Sequence, residues 1–303
     1  MSSQSAVSQA TKTLMPNQSE DRGRSLWQDA WRRLLKNKMA TIGLIYLIIV
    51  TITAIFAPWI APFSYEETDL ALGAVPPNST NIFGTDDLGR DLFSRILYGG
   101  RVSLMVAVLS TFVSVTIGVI YGAISGYFGG KVDNVMMRIV EILYALPFTF
   151  FVILLMVLVG RNIYVLFVAL GAISWLTMAR IVRGQVVSLR RTEFVEAAEA
   201  TGIPKFRIIM RHIIPNTLGP VIVFVTLTIP QVMLEEAFLS FLGLGVQEPM
   251  SSWGTLLSNG VSAMETYPWM LIFPSLTLVT TLFALNFLGD GLRDALDPKA
   301  SKD

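Results

Sequence analysis

Six runs of the chain, Ala40–Ile60, Val102–Tyr127, Val135–Val159, Ile163–Met178, Leu218–Phe238 and Met270–Leu288, are apolar and nearly free of charge. A bilayer core of about 30 Å takes about 20 helical residues at about 1.5 Å each. Within it every backbone N–H and C=O must be satisfied internally, so an apolar run of this length becomes a helix. The expected fold class is an all-α polytopic membrane protein with six transmembrane helices, of which Ile163–Met178 is the shortest. Composition agrees: 53% of residues are hydrophobic and 15% charged, against about 25% charged in soluble domains. The first run exceeds the roughly 7–15-residue core of a cleaved leader and reads as a retained anchor. With no cysteine and a net charge of +1, disulfides and thiolate metal sites are excluded, and no nucleic-acid partner is expected.

Lysine and arginine set the orientation. They crowd into the N-terminal tail (Lys12 to Lys38), the stretch after the fourth run (Arg180, Arg183, Arg190, Arg191, Lys205, Arg207, Arg211) and the C-terminal tail (Arg293, Lys299, Lys302), with Lys131 between the second and third runs. The other side holds only Arg90, Arg95, Arg101 and Arg161, and Leu239–Pro268 has neither residue. Both termini are therefore expected in the cytoplasm. Residues 1–20 are polar and expected to be disordered. "SLWQDAWRRLLKNK" follows, with Trp27, Trp31, Leu34 and Leu35 on one helical face. It reads as a helix in the membrane interface or as a mere positive flank.

Inside the runs, Gly118, Gly122, Gly126 and Gly130 recur every fourth residue, a spacing that lines one helix face and lets another helix approach closely. Arg138 and Glu141, three apart, can pair; so close to the cytoplasmic end, such an intramembrane pair reads as structural. Pro147 is expected to kink that helix. Glu235 and Glu236 have no sequence-local cation and face either a pathway or the outer interface. Catalytic chemistry is not expected. His212 is the only histidine, which leaves no histidine-based metal site. "SGYFGGKV" approaches a phosphate-binding loop, but Ser125 replaces its first glycine and Val132 its hydroxyl residue, so the chain should hold no nucleotide.

The charged stretch "EFVEAAEATGIPKFRIIMRHIIPN" is out of keeping with the apolar runs around it. Thr192 is a good helix N-cap, with Glu193 and Glu196 in the first turn. Gly202 ends that helix and Pro204 opens a second. In the second, Phe206, Ile209, Met210 and Ile213 fall on one face, and Pro215 is expected to stop it. The pair reads equally as a module whose alanine face enters a groove on another protein and as an ordinary loop folded onto the bundle.

"EAA" at Glu196–Ala198, Gly202 six residues after the glutamate and Pro215 thirteen after that glycine resemble the cytoplasmic signature of bacterial ATP-binding-cassette import permeases. "FGTDDLGRDLFSRILYGGRVSL", "SFLGLGVQEPMSSWGTLL" and "NFLGDGLRDALDPK" resemble the dipeptide, oligopeptide and nickel group of that family. The resemblance covers nearly the whole chain. His212 departs from the general signature, which often has an aliphatic residue there, and many relatives carry Asp where Glu141 stands. The resemblance implies the type I importer permease fold, with Glu196, Ala197, Ala198, Gly202 and Pro215 as ATPase-coupling positions. The implied partners are a homologous permease subunit, two ATPase subunits that bind ATP and Mg, a periplasmic peptide-binding protein, membrane lipid and the peptide substrate. It further implies half of a translocation pathway for oligopeptides, in a non-catalytic chain of the bacterial inner membrane.

The expected divisions are 1–39, a tail with the interfacial helix; 40–101, the first span and a periplasmic segment; 102–288, a five-helix core including the coupling loop 179–217; and 289–303, a tail. Within the group, dipeptide, nickel or antimicrobial-peptide import is the alternative. A secondary transporter would need a midplane ion or substrate site, toward which the chain offers little beyond Arg138 and Glu141; a membrane scaffold would need no coupling loop. The orientation is testable because the chain has no native thiol. Single cysteines at Ser2, Thr201 and Lys302 should resist an impermeant maleimide in intact cells, whereas cysteines at Asn78 and Ser258 should react. Labelling of Thr201→Cys from outside would reverse the map.

Overall fold

The computed structural model describes residues 26–296; the N-terminal polar tail and the tail after Leu296 lie outside the described residues. Its elements are helices: α1 Leu26–Lys36, α2 Lys38–Ile55, α3 Ala57–Ile60, α4 Leu92–Phe128, α5 Gly130–Ala145, α6 Phe148–Val159, α7 Ile163–Leu189, α8 Glu193–Ala200, α9 Lys205–Ile208, α10 Ile214–Phe241, α11 Trp253–Ala263 and α12 Trp269–Leu296. Five continuous helical stretches are long and apolar enough to cross a membrane, and α5 with α6 makes a sixth if the bent pair counts as one span.

The third expected run, Val135–Val159, bends at Pro147 as expected, but more sharply than a kink. It is two helices, α5 and α6, meeting at 87°. Pro147 has no N–H to continue the ladder and holds its predecessor, Leu146, in extended backbone. The second run starts ten residues early, at Leu92, because Asp91 caps the helix with a bond from the Ser94 N–H at 2.8 Å. At 37 residues α4 is about 55 Å long, well beyond the hydrocarbon core. α7 likewise runs past Met178 to Leu189, and α12 past Leu288 to Leu296. Such ends are polar enough to escape a hydropathy window, yet packing keeps them helical.

The long α4 and α7 lie against each other over most of their length. A Cβ at Gly118 would stand 2.6 Å from that of Met178, one at Gly126 would stand 2.8 Å from the Arg183 carbonyl oxygen, and one at Gly122 would run into the Ala179 carbonyl. Ser110 and Ser114, both fully buried, continue the four-residue spacing toward the other end. There Gly171 returns the favour, leaving no room for a Cβ beside Val113. Gly130 is outside this contact: nothing lies near it, and it adopts φ +54° where α4 gives way to α5.

α2 and α1 wrap the other side. Gly43 lets α2 approach the Ala284 carbonyl of α12, and Leu34 and Ala30 of α1 pack on Ala295 near the end of α12. Trp31 and Leu35 remain exposed, as an interfacial helix requires; the Trp27 side chain lies outside the described residues. The glycine stripe makes a stability prediction. Gly122→Leu must force α4 and α7 apart, at a cost of about 3 kcal/mol or more. The variant should lose most of its folded yield in detergent, measured by size-exclusion recovery, while Gly184→Leu, at an open position on α7, should not.

Candidate functional site

The polar stretch after α7 is a tight double turn whose local chemistry follows its sequence. Thr192 occupies the N-cap of α8, but its hydroxyl donates backward to the Leu189 carbonyl at 2.6 Å and caps nothing. At the other end Gly202 takes φ +76°. Its N–H reaches the Glu199 carbonyl at 3.0 Å and the Ile203 N–H reaches that of Ala198 at 3.2 Å, the paired bonds of a Schellman stop. Pro204 then caps α9.

Pro215 does not stop the second helix, contrary to expectation. Residues Ile209–Ile213 form one π turn, in which the Ile214 N–H reaches back to Ile209, and α10 follows without interruption. The widened turn makes room for the proline ring and absorbs the hydrogen bond it cannot make. Asn216 donates its side-chain amide to the His212 carbonyl. The turn also shifts the packing face. Ile208, Ile209 and Ile213 are buried, whereas Phe206 and Met210 are exposed.

The loop is anchored by one face only. Val195 and Ala198 sit with Ile208, Ile209 and Ile213 in a cluster built from Val119, Ala123 and Tyr127 of α4 and Val182 and Val186 of α7. Tyr127 donates its hydroxyl to Glu199 at 2.7 Å. Glu193, Glu196, Ala197 and Ala200 face outward and are exposed. The alanine face of the sequence reading therefore divides: Ala197 is free, whereas Ala198 is 8% exposed and belongs to the chain's own core. The helical period places the two 100° apart, and only tertiary packing says which turns inward.

A polar clasp, unforeseen in the sequence, lies beside the loop. Asp133 of α5 accepts from Ser125 of α4 at 2.6 Å and from the Arg183 Nε of α7 at 2.9 Å. The clasp ties three helices together, and its Asp133 and Arg183 stand 50 residues apart in sequence, a separation that no local signal spans. Ser125 lies in the last turns of α4 and Lys131 at the start of α5, with the break between the two helices at Gly129. Arg138 and Glu141 pair at 3.0 Å, yet both side chains are largely exposed in the isolated chain, so the pair lies on its outer face.

The opposite end carries a second polar hub. Asp86 binds Arg90 Nε at 2.8 Å and also Arg95, while Glu248 closes on Arg90 at 3.0 Å. Glu236 is fully enclosed within α10, accepting from Ser252 at 2.7 Å, Ser240 at 2.9 Å and Ser103 at 3.5 Å. Ser103 in turn accepts from the Trp253 backbone N–H at 3.0 Å, and the Trp253 indole N–H reaches the Ile96 carbonyl at 3.0 Å. Glu235, its neighbour, turns into a cleft beside the α5–α6 break. Among the described residues no group of His, Asp or Glu is arranged to hold a metal.

Comparison with known proteins places these features. Residues 118–302 match the model of binding-protein-dependent transport system inner membrane components, and 25–77 that of the N-terminal membrane domain of oligopeptide transport permease C. The oligopeptide transport system permease protein OppC of Haemophilus influenzae is 58% identical over 279 residues, covering 91% of this chain and 90% of that one. The OppC of Escherichia coli K12 is 55% identical over 282 residues, covering 92% and 93%. The dipeptide transport permease DppC of Bacillus subtilis is 48% identical over 276 residues, covering 91% and 86%. A solved inward-facing structure of the MetNI methionine ABC transporter superposes with a TM-score of 0.54 at 18% identity, over 68% of this chain and 96% of that one; it shows the shared fold.

The divided alanine face sets a test of the loop's own folding. Ala198→Arg drives a charge into the cluster around Val195 and Ile208 and should cost at least about 2 kcal/mol. Ala197→Arg, on the free face, should be neutral within about 0.5 kcal/mol. Thermal unfolding of the purified chain in detergent should separate the two.

Proposed function

The chain belongs to the binding-protein-dependent inner-membrane transport components, the permease subunits of ATP-binding-cassette importers, and on that premise we propose that it forms half of the pathway by which oligopeptides cross the bacterial inner membrane. It is a non-catalytic, multi-pass membrane component, and ATPase and binding-protein partners follow from its membership. In finer detail, a homologous permease subunit completes the pathway, two ATPase subunits bind ATP and Mg, and a periplasmic peptide-binding protein delivers the substrate. Both termini and the loop Glu193–Asn216 lie on the cytoplasmic side, as its arginines and lysines favour.

The observation that carries this reading is the one-sided anchoring of α8. Its inner face is welded to α4 and α7 through Val195, Ala198 and the Tyr127–Glu199 bond. Its outer face presents Glu193, Glu196 and Ala197, and Phe206 stands exposed on the adjoining turn. A helix held in this way is a lever. A docked ATPase that shifts it shifts the ends of two spans, which is how closure of an ATPase pair would turn the pathway from one side of the membrane to the other. Glu196 and Ala197 then act by direct docking, Ala198 and Gly202 by shaping the helix and its turn, and Pro215 by imposing the π turn beneath. Dipeptide import is the second reading, favoured by the dipeptide permease among the relatives.

Two measurements test the division of labour. The purified chain should neither bind nor hydrolyse ATP, while the assembled complex does both. Ala197→Arg should leave the permease inserted and paired but reduce co-purified ATPase subunits at least about tenfold, since an unpaired charge closed into an interface costs several kcal/mol. Parent-level ATPase recovery and peptide uptake in Ala197→Arg would remove α8 from the coupling surface.

A further inference from the structure

The break in the third span borders a cleft of about 610 Å³ between the end of α5, the middle of α7 and α10. Among the described residues lining it, Glu235 is the only charged one. One carboxylate oxygen accepts from Gln231 Nε2 at 3.0 Å; the other, Oε2, is buried and has no hydrogen-bond partner. A carboxylate oxygen left bare at membrane depth is costly and calls for a donor. Its neighbour Glu236 shows the contrast, being satisfied by three serine hydroxyls and closed to the cleft.

Two further features of this spot favour positive charge. Pro147 offers no N–H, and the 87° turn into α6 ends the α5 ladder, so that of its last carbonyls that of Leu143 accepts from the Leu146 N–H at 3.3 Å while the helix supplies no Pro147 donor to the others. Those carbonyls are the negative end of the α5 dipole. Trp175 and Tyr144 are among the residues that line the same space, and aromatic faces attract cations, as the Arg180 guanidinium over the Tyr144 ring shows. Arg180, 4.4 Å from the centre of the Tyr144 ring, borders the adjoining groove lined by Asp133 and Glu141 rather than the cleft itself. The volume suits one or two residues of a peptide rather than a bare ion.

We propose that this cleft is a subsite for the N-terminal α-ammonium group of the transported peptide, with the Glu235 carboxylate as its counter-charge and Gln231 holding that carboxylate in place. The α-ammonium is the one cation that peptides share whatever their side chains, so a single carboxylate there engages them without selecting sequence. The first residue enters the space between Trp175 and the α5–α6 break, and the remainder of the peptide lies outside the cleft. This inference rests on the peptide-import reading.

The test uses the complete importer in proteoliposomes with its binding protein and a radiolabelled tripeptide. Glu235→Gln, which keeps the shape and removes the charge, should lower uptake at least about tenfold, the worth of one charge-assisted hydrogen bond, while binding-protein-stimulated ATP hydrolysis stays at the parent level. Glu235→Asp should retain most of the uptake. In vanadate-arrested complexes, a benzophenone at the first residue of the peptide should cross-link to Leu143–Pro147 or Trp175, and the same probe at the last residue should not. Parent-like uptake by Glu235→Gln overturns the proposal, as does loss of stimulated ATP hydrolysis along with uptake, or cross-linking from the last residue alone. Failure of the parent complex to import the tripeptide would instead refute the peptide reading on which it rests.

Discussion

The contact between α4 and α7 is the constraint on which the remaining architecture depends. In lipid, apolar side chains gain little by leaving one apolar medium for another, so helices are held by close packing and by polar groups satisfied between them. Gly118, Gly122 and Gly126 bring the α4 backbone onto the Ala179 and Arg183 carbonyls, and Gly171 does the same from α7. Because the two backbones meet, every side chain at the edges of the contact is placed with little freedom. The Ser125–Asp133–Arg183 clasp and the Tyr127–Glu199 bond both stand beside the last of these glycines.

From that seam the chain builds two ends of different character. The end near Asp86, Arg90 and Glu236 is closed and cross-braced, with indole N–H groups of Trp253 and Trp269 tied to backbone carbonyls of Ile96 and Thr85. Such a hub resists deformation. The opposite end hangs one short helix from the seam by a single face and leaves Phe206 and Met210 uncovered. Exposed apolar side chains among arginines mark a surface awaiting a partner. A stiff far end and a short helix fixed firmly by one face suit the proposed subunit, moved by a motor on another chain.

Proline shapes both of the proposed functional regions by the same deficiency, its missing N–H. Pro147 breaks a span and opens the cleft that holds Glu235; Pro215 is absorbed by a π turn and leaves the helix continuous. Nothing in either residue's immediate neighbours distinguishes the outcomes. Ile208, Ile209 and Ile213 are buried against α4 and α7, so breaking the helix at Pro215 would strip apolar contacts from the seam. The segment around Pro147 stands at the edge of the bundle, with Leu146 exposed, and bending there sacrifices little.

What the sequence by itself determined is whatever depends on local chemistry. Long apolar runs must be helices in a bilayer, Gly118, Gly122 and Gly126 within one helix must line one face, and Gly202 ends a helix because glycine readily takes φ +76°. Within the stretch from Glu196 to Pro215 the stop at Gly202 and the start at Pro204 were legible for the same reason, whereas Pro215 breaks nothing, and the signature as a whole was legible only as a family resemblance. Tertiary structure decided which side of each helix turns inward. It separated Ala197 from Ala198 and Glu235 from Glu236, residues adjacent in the chain and alike in chemistry. It also joined Asp133 to Arg183 and Arg90 to Glu248. These distinctions depend on which helix lies alongside, and that neighbour comes from a distant part of the chain, beyond the reach of any local pattern.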